Sequence, residues 1–160
     1  MTDTPFERTD SRVWQRPEVP VGGTWSNDGP DNPCFGCRQH GDPGLRMTFT
    51  RIEERLVECR WTPDPMFTGW ATVVHGGIQA TLLDEIMGAT TGVQYTDPDL
   101  AIVTLGLDVR FRRPAPMGEE LTIRGRLDEI DGTDHHLSAE IVTADGTVCT
   151  TGTSTWRRLR

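Results

Sequence analysis

One stretch of this chain, residues 76–91, combines the length and the apolar spacing of a helix, and segments of alternating apolar and polar residues surround it. On a helical wheel Ile78, Ala80, Leu82, Leu83, Ile86 and Met87 form an apolar arc, with Asp84 just past its edge. A lone helix of this kind must bury its arc, and the alternating segments offer a sheet to bury it against. That pairing fixes the fold class before any motif is read.

The strands follow from the alternation. Leu45, Met47 and Phe49 share one face, and residues 56–61 read as a second strand. A loop with Pro63 and Pro65 leads through Thr72-Val73-Val74 into the helix, which Gly92 and the Asp97-Pro98-Asp99 turn close. Beyond it, residues 102–112 place Leu105, Leu107, Val109 and Phe111 on one face. Pro114-Ala115-Pro116 and Gly118 break that run before residues 120–129. Asp131-Gly132 and Asp145-Gly146 are hairpin turns separating strands at 135–143 and 147–157. The expectation is an α+β domain, with an antiparallel sheet of about six strands around one central helix. Residues 1–33 carry five prolines and no periodicity, so they read as an extended N-terminal arm before a domain at 34–160. Trp14 and Trp25 suggest that this arm docks on the domain.

Charge and composition narrow the function. A net charge of −8 and a pI near 4.9 argue against a nucleic-acid surface. No apolar run approaches the roughly 18–20 residues that span a bilayer, and the N-terminus lacks a signal pattern. Four irregularly placed cysteines fit reduced thiols, so the expected location is cytoplasmic. Cys34-x-x-Cys37 with His40 hints at a metal. A structural zinc site usually needs four ligands, however, and Cys59 and Cys149 fall on expected strands. The expectation is therefore no bound metal, with the cysteine pair packing a tight turn.

The chemistry concentrates at the helix. Gly76 and Gly77 open it directly after His75, leaving N–H groups exposed where orphan donors and the helix dipole favour negative charge. Asp84 follows nine residues after His75. An anion-stabilising helix start and a carboxylate are two parts needed to hydrolyse an acyl bond.

The motif His75-Gly76-Gly77 with Asp84, the strand from Thr104 to Arg112-Arg113-Pro114, and the lead-in Asn32-Pro33-Cys34-Phe35-Gly36-Cys37 running to Gly44-Leu45 together resemble the hotdog-fold acyl-CoA thioesterases. The likeness is to the phenylacetate-pathway and 4-hydroxybenzoyl-CoA-type branch, over about residues 32–157. It implies an acyl-CoA substrate, no separate cofactor, no membrane or nucleic-acid partner, and a homodimer or dimer of dimers. Asp84 would be nucleophile or general base. Gly76, joined by Gly77, would bind the oxyanion, and His75 would shape the turn into the helix. Thr104 would orient the carboxylate or water, reaching the site from the other subunit. Arg112 and Arg113 would meet the coenzyme A phosphates, although their bland role is edge charge that keeps sheets apart. Phe67, Trp70 and Met87 would make the acyl pocket apolar. Gly69 departs from the pattern, since several relatives carry asparagine six residues before the histidine. A hotdog (de)hydratase and a non-catalytic acyl-CoA-binding protein remain the alternatives.

Overall fold

The computed structural model describes residues 18–159, apart from 28, 30, 31, 42, 98 and 99. Trp14, Pro98 and Asp99 therefore lie outside the described residues. In chain order the elements are β1 (Thr24–Trp25), β2 (Phe49–Glu53), β3 (Leu56–Trp61), a 3-10 turn at Pro65–Phe67, β4 (Thr68–Trp70), β5 (Val73–Val74), α1 (Gly76–Gly92), β6 (Ala101–Phe111), β7 (Leu121–Asp131), β8 (Asp134–Val142) and β9 (Val148–Leu159). Seven strands form one antiparallel sheet in the order β1-β2-β3-β7-β8-β9-β6, while β4 and β5 make a separate small pair. The architecture is α+β, with the long sheet packed on a single helix, as the hotdog resemblance implies.

The sheet contains the six expected strands and β1, which comes from the segment read as an arm. Thr24 and Trp25 pair with Thr50 and Phe49, and the Trp25 and Phe49 rings lie 5.4 Å apart. A two-residue strand is too short to show alternation, so its sequence carries no signal. Leu45 and Met47 are buried as their alternation suggests, but β2 begins only at Phe49.

Burial explains why helix and sheet need each other. Residues on β7, β8 and β9 alternate in exposure, so one face of each strand turns inward. Leu121, Ile123, Leu127, Leu137 and Ile141 from that face join Leu82, Leu83, Ile86 and Met87 of α1 in one core. The two hairpins turn at Gly132 and Gly146, whose positive φ values of 61° and 84° suit glycine.

Edge strand β6 breaks the pattern. It pairs only with β9, leaving its other edge without a strand partner among the described residues. Its apolar side chains are only partly covered: Ile102 and Val109 pack against the core, while Leu105 is 50% and Phe111 58% exposed. Among the described residues no helix is long and apolar enough to cross a membrane.

Candidate active site

The helix start is built by His75. Its backbone N–H donates to Phe67 O (2.9 Å), which ties the residue to the 3-10 turn. As N-cap of α1, it accepts the Gly77 N–H on Nδ1 at 3.0 Å. The second glycine amide is thus already occupied. Gly76, at the first helical position, has an N–H with no acceptor among the described residues, so it is the donor left for an incoming anion. His75 holds the turn through this cap.

Asp84 lies two turns further along, half-buried beside fully buried Leu83. Thr104 Oγ1 on β6 donates to Asp84 Oδ1 at 3.0 Å. Burial pushes the Asp84 carboxyl above its ordinary pKa, and the Thr104 hydrogen bond partly offsets that. This arrangement corrects one implication of the resemblance. Thr104 meets the Asp84 of its own chain, because β6 pairs along β9 and passes over the middle of α1. Asp84 and Gly76, in contrast, are eight residues apart on one helix, about 12 Å at 1.5 Å per residue. A carbonyl oxygen on the Gly76 amide is therefore out of contact with the Asp84 of the same chain.

Gly69 has a physical reason to be glycine. A Cβ there would stand 2.7 Å from His75 Cα, so the backbone of β4 packs directly on the residue that caps α1. Trp70, beside it, is 82% exposed. Phe67 and Met87 are both buried in the core.

Arg112 and Arg113 leave the end of β6 exposed, with both backbone N–H groups donating to Cys149 O at 2.8 and 3.0 Å. Neither side chain makes an ion pair among the described residues. They lie near the start of α1, since the Phe111 ring approaches within 3.3 Å of where a Gly76 Cβ would be.

Glu85 belongs to no motif in the sequence. The structure brings its carboxylate to Cys34 and Cys37, with one ligand atom of each residue within 4.8 Å of the others. The Cys37 side chain draws the Cys34 thiol down to about 6, while the same contact and burial push Cys37 up. Burial first, then Cys34, raises Glu85 to about 8. His40 is exposed and stands outside the cluster. No motif links a helical glutamate to a Cys-x-x-Cys pair 48 residues earlier, so the contact is legible only in three dimensions.

The pattern of the thioesterase superfamily matches residues 71–150, half of the chain. The chain belongs to the thioesterase superfamily. That span takes in the His75-Gly76-Gly77 start, Asp84, Thr104 and both arginines. The acyl-coenzyme A thioesterase THEM4 of Bos taurus is 29% identical over 99 residues, covering 62% of this chain and 39% of that protein. The chain thus spans less than half the length of that relative. Among solved structures, a thioesterase superfamily protein is 29% identical with a TM-score of 0.65, covering 71% of this chain and 54% of the other. A Bacillus halodurans protein solved with CoA is also 29% identical, with a TM-score of 0.60 over 66% of this chain and 68% of that one. The thioesterase superfamily fold shared with these structures is the hotdog arrangement of helix and sheet described above.

Proposed function

We propose that the protein is an acyl-CoA thioesterase that hydrolyses a CoA thioester to free acid and CoA at sites shared between two copies of the chain. The observation that carries this reading is the half-buried Asp84 carboxylate held by Thr104. A carboxylate with a raised pKa and a fixed orientation suits attack on a thioester carbonyl or activation of a water. Thr104 orients it. The Gly76 N–H of the second copy holds the carbonyl oxygen and strengthens its grip as negative charge develops there. Arg112 and Arg113, unpaired near the helix start, meet the CoA phosphates.

Two copies are needed because one helix separates its start from its carboxylate by about 12 Å. The open edge of β6 and its exposed Leu105 and Phe111 supply the contact, since two such edges pair antiparallel across a two-fold axis. We read the assembly as a homodimer or dimer of dimers in the cytoplasm, where its four free thiols stay reduced. Light scattering checks this: Leu105→Glu shifts the mass to that of a single chain, and a folded wild-type monomer at micromolar concentration removes the shared site.

Gly69 supports a second reading, a protein that binds acyl-CoA without hydrolysing it. No side chain stands at that position to place a water. Release of free thiol from short, long and aryl acyl-CoAs separates the two. Turnover that Asp84→Asn abolishes supports the thioesterase, and tight binding without thiol release supports the binder.

A further inference from the structure

We propose that Cys34, Cys37 and Glu85 form a binding site for a thiophilic divalent cation of the zinc type, with a fourth position open to water. The inference is independent of the thioesterase reading. Its ligands come from two parts of the fold, the lead-in to the sheet and the middle of α1. Residues 34–38 form a tight turn in which the Arg38 N–H returns to Cys34 O at 3.2 Å. Leu45 N–H to Phe35 O (2.8 Å) and Met47 N–H to Gly36 O (3.1 Å) fasten that turn to the following segment. The turn closes over Glu85 because residue 36 is glycine: a Cβ there would fall 2.2 Å from Glu85 Cδ.

The spacing suits a metal. Around tetrahedral zinc, with Zn–S about 2.3 Å and Zn–O about 2.0 Å, a sulfur and an oxygen stand about 3.5 Å apart. Cys34 Sγ lies 3.5 Å from Glu85 Oε1 and 3.7 Å from Oε2. Cys37 Sγ completes the triangle, all three ligand atoms lying within 4.8 Å of one another. An outer layer is in place as well. Buried Asn32 accepts the Cys34 N–H on Oδ1 at 3.0 Å and directs Nδ2 to Cys37 Sγ at 3.7 Å, and Asn27 Nδ2 approaches the same sulfur at 3.8 Å. Amide donors to a sulfur orient and stabilise a metal-bound thiolate. Two thiolates with one carboxylate favour zinc over magnesium or calcium, which take oxygen ligands. The expectation of no metal counted ligands near the cysteine pair, and Glu85 adds a third that the sequence does not place there. A bound ion would pin the lead-in to the residue that follows Asp84.

Cobalt(II) titration of the full chain, reduced with a phosphine and stripped by a chelator, tests the site. Binding of about one equivalent with an intense thiolate-to-cobalt absorption and tetrahedral visible bands is expected, and zinc should displace it. Cys34→Ser and Cys37→Ser, each checked for folding by circular dichroism, should each weaken binding and cut the sulfur band per bound cobalt to about half, and the double variant should abolish it. Glu85→Gln should weaken binding about tenfold or more while keeping a sulfur band. Folded, fully reduced wild-type protein that gives no sulfur band overturns the proposal without recourse to any variant. A band that survives in the Cys34→Ser/Cys37→Ser double variant overturns it too.

Discussion

Thr104 Oγ1 donates to Asp84 Oδ1 across 3.0 Å, joining an edge strand to the middle of the central helix within one chain. The carboxylate is thereby held by a residue of its own chain, and Asp84→Asn keeps the shape while removing the charge. Hydrolysis of acyl-CoA by this variant should fall about 10³-fold, with its folding and CoA affinity close to wild type. Thr104→Ala, which removes one hydrogen bond to a charged group, should cost about tenfold. Thiol release with circular dichroism measures both, and a wild-type rate for Asp84→Asn removes the catalytic assignment.

A mixing experiment distinguishes which residues share a subunit. Gly76→Pro deletes the free amide at a position where proline is well tolerated, and His75 already has the extended backbone (φ −54°, ψ 134°) that precedes proline. A heterodimer of Gly76→Pro with Asp84→Asn gathers both lesions in one site and leaves the other whole. Random mixing should therefore restore about a quarter of wild-type activity, since half of the dimers are mixed and each has one intact site. Asp84→Asn with Thr104→Ala should restore none beyond the Thr104→Ala background, because both residues serve the same subunit's half-site. The reverse result would put Thr104 across the interface.

The sequence carried the helix, the long strands and both glycine hairpins because each is a local pattern: an apolar arc, an alternation, a residue with positive φ. It did not carry β1, which two residues cannot announce, nor the contact of Glu85 with the cysteine turn, which joins two distant segments. Asp84 and Gly76 were legible as residues, but their distance from one another along α1 was not weighed by the motif. The Thr104 hydrogen bond to Asp84 joins residues 20 positions apart and is seen only in the folded chain. His75 illustrates the opposite case, where the motif was clear and the geometry shows a cap.

Restoring the asparagine that several relatives carry should not restore function. Gly69→Asn forces a Cβ to within 2.7 Å of His75 Cα, a backbone atom that cannot swing aside. Overpacking of this kind costs about 1–3 kcal/mol, so a lower denaturation midpoint with no gain in turnover is expected. Increased turnover at unchanged stability would show that the β4 hairpin yields and that a side chain at this position places a water.

Arg112→Ala and Arg113→Ala test recognition of the phosphates. Each should raise KM for acyl-CoA about tenfold while leaving kcat nearly constant, as expected for charged hydrogen bonds made equally in ground and transition states. The wild-type KM should rise with added salt and those of the variants less so. If KM is unchanged in the double variant, the arginines only guard the strand end.

His135 sets a pH dependence of stability. It is fully buried, with Nε2 2.5 Å from Tyr95 Oη and Nδ1 3.2 Å from Thr133 O. A neutral ring satisfies both contacts by donating from Nδ1 to the carbonyl and accepting the tyrosine O–H on Nε2. Burial holds its pKa below the ordinary value, Arg158 over the Tyr95 ring adds to that, and Asp134 opposes it. The folded chain therefore binds fewer protons here than the unfolded one. This contribution to stability is complete above the free imidazole value of about 6.5 and declines as pH falls from there through the lowered folded value. His135→Gln should be about 1–3 kcal/mol less stable at neutral pH from its broken buried hydrogen bonds. Its urea midpoint should fall less steeply between pH 7 and pH 5 than that of the wild type. Equal slopes in the two proteins would place the acid sensitivity elsewhere.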